Sequence, residues 1–191
     1  VTKGGENMLY LEFDDLRWIN AYIGNQEQLT SNDLEHLKTF AFMWDMFEAK
    51  ACKGAANAQS IADFVLKDLG LEKQNRTSSV IDAYFDYFHD RYVTEGKLNE
   101  IFIRMSRDTK ETFESDAGIF NVKDFIGQNL LDKDSTEINK LLTCVLIAYR
   151  WRSNFFLLDK NIINISHQYK NFNIANKLIA MILQQYRRNI E

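Results

Sequence analysis

No proline occurs anywhere in the 191 residues, and there are only 8 glycines. Proline removes a backbone donor and breaks a helix interior, and glycine is the usual helix terminator. A chain so poor in breakers is biased towards long helices. The expected fold is therefore all-α, a single-domain helical bundle spanning 1–191. The length suits one domain and is enough to bury a sizeable core. Hydrophobic residues at 46% and charged residues at 26% match a globular chain rather than a disordered one. No apolar run reaches the length of a membrane span, so none is expected.

Apolar spacing and caps place the helices. Leu11, Leu16, Ile19 and Ile23 give a first helix over Met8–Ile23. Asn32 with Glu35 three residues on reads as the cap of a second, running to about Lys53 and closed by Gly54. Its face carries Leu37, Phe40, Trp44, Phe47 and Ala51 at spacings of three and four. A third helix is expected over Ile61–Leu69 and a fourth over Val80–Val93. Tyr84, Phe85, Tyr87, Phe88 and Tyr92 crowd the fourth with aromatic surface. Between Gly96 and Lys133 the pattern weakens, leaving short helices at Leu98–Met105 and Val122–Asn129 and loops around Asp108, Asp116 and Gly118. Asp134 with Glu137 predicts the start of a long helix to about Leu158, and a last helix covers His167–Arg188.

Net charge is −4, which excludes a general nucleic-acid coat. The charge is uneven. From Leu141 onward seven Lys or Arg face only Asp159 and Glu191, so an anionic ligand would bind in that third; a solvated basic face is the plainer alternative. The first residues, VTKGGENMLYLEF, lack the basic and apolar regions of a signal peptide. Cys52 and Cys144 sit in apolar helical settings and are expected to be buried free thiols in a cytoplasmic protein.

The candidate site lies in YRWRSNFFLLDK, residues 149–160. Leu141, Val145, Ala148, Arg152 and Phe155 follow one another by four, three, four and three, which puts Arg152 on the core-facing stripe. A guanidinium there needs a carboxylate, a carbonyl or an anionic ligand. Arg150 points elsewhere and is expected to be solvated. Glu48, four residues after Trp44, is the matching acid on the second helix, and a bidentate pair would satisfy both charges. A purely structural ion pair would satisfy the same pattern.

FAFMWDMFEAKAC, residues 40–52, and YRWRSNFFLLDK together resemble the HEPN superfamily, in particular a plasmid- and prophage-borne bacterial branch. Members of that branch carry a tryptophan and Phe-Glu-Ala in an early helix. Their late helix ends near Tyr-Arg-x-Arg-Asn-Asn-Leu-Phe-His-Gly, followed closely by Lys. The resemblance implies a helical bundle that forms a homodimer. In active members it implies a metal-independent ribonuclease of toxin–antitoxin or phage-defence systems, without cofactor. Arg152 then matches the family arginine, Asn154 the second asparagine and Lys160 the trailing lysine. Ser153 replaces the first asparagine, and Phe155 and Phe156 match the Leu-Phe pair. Leu157 stands at the histidine and Leu158 at the glycine.

That replacement bears on chemistry. Metal-free RNA cleavage needs a base for the 2′-hydroxyl and an acid for the leaving 5′-oxygen, roles imidazole fills near neutral pH. Leucine fills neither, and arginine does not exchange a proton at pH 7. His36, His89 and His167 are dispersed along the chain and read as ordinary surface or helix-end histidines. They have no metal-ligand spacing, and there is no Cys-x-x-Cys, Walker, dinucleotide or Gly-x-Ser-x-Gly motif. The sequence thus predicts a protein that binds RNA or a protein partner through Arg152, Ser153, Asn154 and Lys160, supported by Glu48 and Arg150, without cutting. The alternatives are a non-enzymatic dimerisation or scaffold module, and a ribonuclease that recruits His89 or His167.

Overall fold

The computed structural model describes residues 13–23, 28–71, 78–156 and 168–190. Among them the expected all-α class holds. Eight α-helices are joined by two small antiparallel hairpins. The first helix, α1, is described over Asp15–Ile23; α2 covers Ser31–Ala51, and α3 covers Ala58–Asp63, continuing into a π-helical turn over Phe64–Asp68. Then come α4 (Ser78–Tyr92), the hairpin of β1 (Val93–Thr94) and β2 (Lys97–Leu98), and α5 (Glu100–Met105). A second hairpin, β3 (Thr112–Ser115) with β4 (Gly118–Asn121), precedes α6 (Val122–Leu131), α7 (Glu137–Phe156) and α8 (Tyr169–Ile190).

The central element is α7. Every residue from 141 to 151 is buried, so this helix has no solvent face along three turns, the mark of a core helix. Packed around it are α4 and α6. The longest pairing is between α2 and α8, where Phe40 meets Phe172 with ring centroids 5.3 Å apart. The face predicted for α2 is the buried one: Phe40, Trp44, Phe47 and Ala51 are all inside. Gly127 lets α6 lie close to its neighbours, since a Cβ there would stand 2.9 Å from Leu98 Cδ1.

Several boundaries differ from expectation, each for a local reason. Thr30, not Asn32, caps α2. Its Oγ1 accepts the Asp33 N–H at 3.1 Å while Asp33 Oδ2 accepts the Thr30 N–H at 3.0 Å, a reciprocal box two residues earlier. Thr136 rather than Asp134 caps α7, its Oγ1 accepting the Asn139 N–H at 3.3 Å. Gly54 does close α2, its N–H reaching the Glu48 carbonyl at 2.9 Å. The β3–β4 hairpin falls where only loops were expected, because strands of four residues carry too little alternation to register. In the other hairpin Glu95 and Gly96 both have positive φ, the twist that a two-residue connection requires.

The aromatic surplus expected on α4 is absorbed within the chain. Phe85, Phe88 and Tyr92 are buried, and Tyr84 and Tyr87 pack against the same core. Cys52 and Cys144 are buried free thiols, as expected. No described helix is long and apolar enough to cross a membrane. The predicted positions of Leu157, Leu158, Lys160 and His167 lie outside the described residues, as does the first part of the helix expected over Met8–Ile23.

Candidate anion-binding site

The end of α7 meets α2 through two side-chain pairs one turn apart. Trp44 and Tyr149 stack with ring centroids 6.1 Å apart. Next to them, Arg152 Nη2 stands 4.0 Å from Glu48 Oε1. The two helices thus touch where the spacing of the sequence placed an acid opposite an arginine. The pair is loose rather than bidentate, and Glu48 Oε1 has two further donors. It accepts the Trp44 indole N–H at 2.9 Å and the Ala56 backbone N–H at 3.4 Å. Those bonds fix the carboxylate on its own helix and on the loop that follows it. The Arg152 side chain keeps 25% of its surface exposed, against 18% for Glu48.

Arg150 corrects the sequence reading. Expected in solvent, it is only 6% exposed. Its Nη2 donates to the Arg107 carbonyl at 3.3 Å and to Asn154 Oδ1 at 3.4 Å, while its Nε has no partner among the described residues. The physical reason is that α7 is buried on every side up to Trp151. A stripe drawn through one face therefore could not distinguish an inner arginine from an outer one. Two residues later the helix emerges, and Arg152 is the one that reaches a surface.

Asn154 is spent inside the protein: its Nδ2 donates to the Met105 carbonyl at 3.1 Å and its Oδ1 serves Arg150. Asn154 thus ties the end of α7 to α5, while Ser153 is buried and hydrogen-bonds to Tyr149 on its own helix. Glu111 belongs to the same polar cluster and was not anticipated. Its Oε1 accepts the Tyr149 hydroxyl at 3.1 Å, and its Oε2 is buried without a partner among the described residues. Burial, reinforced by the Glu111 charge, pushes the Tyr149 phenol up to about 12. At neutral pH it stays a protonated donor. The two glutamates of KETFES, residues 110–115, offer no pattern by which sequence reasoning could have singled out Glu111.

The described histidines lie elsewhere. His36 Nδ1 is 2.8 Å from the Asn32 carbonyl, and its ring packs on Tyr169. His89 Nδ1 is 3.5 Å from Asp90 Oδ1. Neither hydrogen-bonds to Arg152 or Glu48. Among the described residues no group of His, Cys, Asp or Glu is arranged to hold a metal ion. What the arrangement can do is offer guanidinium N–H donors at a partly open surface, backed by a buried polar cluster. No protein-family model matches the chain, and neither curated proteins nor solved structures show a significant similarity to it.

Proposed function

We propose that this chain is a HEPN-like helical protein that binds single-stranded RNA through its phosphates at the Arg152 end of α7 without cleaving it. One observation carries the reading. Arg152 is the arginine of the motif that stays partly exposed, and its one described partner stands at 4.0 Å. Most of its five N–H donors are therefore available to an anion. A phosphate oxygen fits them better than Glu48 does, since Glu48 Oε1 is held by the Trp44 and Ala56 N–H groups. Asn154 then acts by positioning the helix end, with Ser153 covered beside it, and Lys160 supplies further positive charge by the resemblance. The absence of a histidine at position 157 supports binding without proton transfer. The same resemblance implies a homodimer in a toxin–antitoxin or phage-defence setting, and the two buried free thiols suit a reducing cytoplasm.

A second reading is favoured by the Trp44–Glu48–Ala56 network itself. There Arg152 only ties α7 to α2, and the protein is a helical scaffold. Titrating a labelled single-stranded RNA with wild type and Arg152→Ala, chelator present, separates the two. RNA binding predicts affinity that falls in the variant while the RNA stays intact. Equal or negligible affinity for both proteins leaves the scaffold.

A further inference from the structure

Away from Arg152, a cleft of about 620 Å³ opens between the β3–β4 hairpin, α6, the start of α7 and the π-helical turn. That volume is in the range of small-molecule sites, which combine an apolar lining with a few polar groups that orient the ligand. Its floor is aromatic. Phe113 and Phe120 lie nearly parallel with centroids 5.5 Å apart, and Phe125 meets them edge-on at 5.1 and 5.6 Å. Phe113 and Phe125 are buried, whereas Phe120 is only partly covered and presents ring surface to the cleft.

Two features make the cleft preformed. The Gln59 side-chain amide grips β3 on both sides, donating to the Glu114 carbonyl at 3.0 Å and accepting its N–H at 2.8 Å. The Leu69 N–H reaches back to the Phe64 carbonyl at 2.9 Å, the five-residue step of a π-helix, and this turn carries Leu66 and Lys67 into the wall. Such turns recur at functional sites.

Charge selects the ligand. Lys67 pairs with Asp63 at 2.6 Å and also feels the charge of Asp116 across the cleft. One lysine thus stands against Asp63, Asp116 at the hairpin tip and Asp132 at the end of α6, and the balance is acidic. Asp116 and Asp132 are exposed, and neither forms an ion pair among the described residues. Among the described residues the Asp132 carboxylate accepts only the Asp134 backbone N–H. The side-chain amides of Gln128 and Asn139 also line the cleft and make no hydrogen bond among the described residues. We propose that this cleft binds a small organic cation with an aromatic body, an arylalkylamine in chemical class. The ring lies on Phe120, which Phe113 and Phe125 back from below, the ammonium group faces Asp116 and Asp132, and the amide oxygens accept its remaining N–H groups. An anion of the same shape meets two carboxylates, and a neutral one leaves them unmatched. The site shares no residue with the Arg152 cluster, so it stands or falls separately.

Three probes of one shape test this by two-dimensional NMR of the ¹⁵N-labelled chain: phenethylamine, 2-phenylethanol and phenylacetate. The amine is expected to give saturable shifts confined to the β3–β4 hairpin and α6, about fivefold tighter than the alcohol, with no response to phenylacetate. Asp116→Asn/Asp132→Asn, two exposed positions, should remove the advantage of the amine over the alcohol while leaving the circular dichroism spectrum unchanged. Equal affinities for amine and alcohol, an advantage that survives the double substitution, or no saturable shift up to about 10 mM amine would each overturn the proposal. Shifts scattered outside the cleft would do the same.

Discussion

Arg150 and Arg152, two residues apart on α7, occupy opposite environments: the first is 6% exposed, and the second keeps a quarter of its side-chain surface while facing Glu48 at 4.0 Å. The difference arises because α7 leaves the core between them. It assigns Arg150 to the architecture and leaves Arg152 as the arginine a ligand can reach.

Stability should divide along the same line. Arg150→Ala removes a nearly sealed guanidinium, strands the Arg107 carbonyl and Asn154 Oδ1, and opens a void. A loss of about 2–4 kcal/mol is expected. Arg152→Ala breaks one loose, partly solvated contact and should cost less than about 1 kcal/mol. Urea denaturation of both variants checks this. The reverse order would mean that Arg152 is the structural residue.

The motif legible in the sequence was the pairing of two helices, not the depth of each residue in it. Trp44, Phe47 and Glu48 were readable because α2 has one wet face, so spacing alone reports which side is in. That information is missing from α7, where burial from 141 to 151 erases the periodic signal and put Arg150 on the wrong side of the boundary. Capping chemistry was seen but misplaced, since Asn32 and Asp134 are as good caps as Thr30 and Thr136 until tertiary contacts choose. Glu111 and the β3–β4 hairpin were not legible at all. Their roles come from partners 38 and 55 residues away, Tyr149 and Gln59, and no local pattern encodes such distances.

Alkaline pH should weaken the fold through its buried acids. Burial pushes the Cys52 thiol from 9.0 up to about 11, and Cys144 also rises. Above pH 9 the unfolded chain therefore releases these protons while the native chain retains them. Stability is full below pH 9 and declines as the pH climbs towards 11. Thermal melts across that window should show the decline, and Cys52→Ala should show a shallower one. Thiol-specific reagent at about pH 8 should label native protein slowly and urea-unfolded protein fast.

Wild type should not cut RNA in chelator at a rate detectable beside an active HEPN enzyme. Loss of a general acid or base typically costs about a hundred- to ten-thousand-fold, and on the proposed HEPN reading Leu157 stands at the histidine position. Leu157→His/Leu158→Gly is the comparison, since Leu158 occupies the place of a glycine and would crowd an imidazole. Chelator-resistant cutting by wild type, lost in Arg152→Ala, would instead establish the ribonuclease that recruits another histidine.

Assembly is checked by light scattering. A homodimer should give twice the 22.4 kDa chain mass at micromolar concentration. With the aromatics of α4 internal, the exposed Phe42 and Met46 of α2, one turn apart, become the first positions to substitute. Phe42→Ser/Met46→Ser should shift a dimer towards monomer without unfolding it.

The most direct test of phosphate binding at Arg152 is the salt dependence of RNA affinity in wild type, Arg152→Ala and Glu48→Gln. Glutamine keeps an acceptor for the Trp44 and Ala56 N–H groups but removes the negative charge 4.0 Å from Arg152 Nη2. Binding at this site predicts that Glu48→Gln tightens RNA affinity by about two- to fivefold, and that Arg152→Ala weakens it and flattens the salt slope by about 0.7. Affinities and slopes that are the same in all three proteins would contradict it.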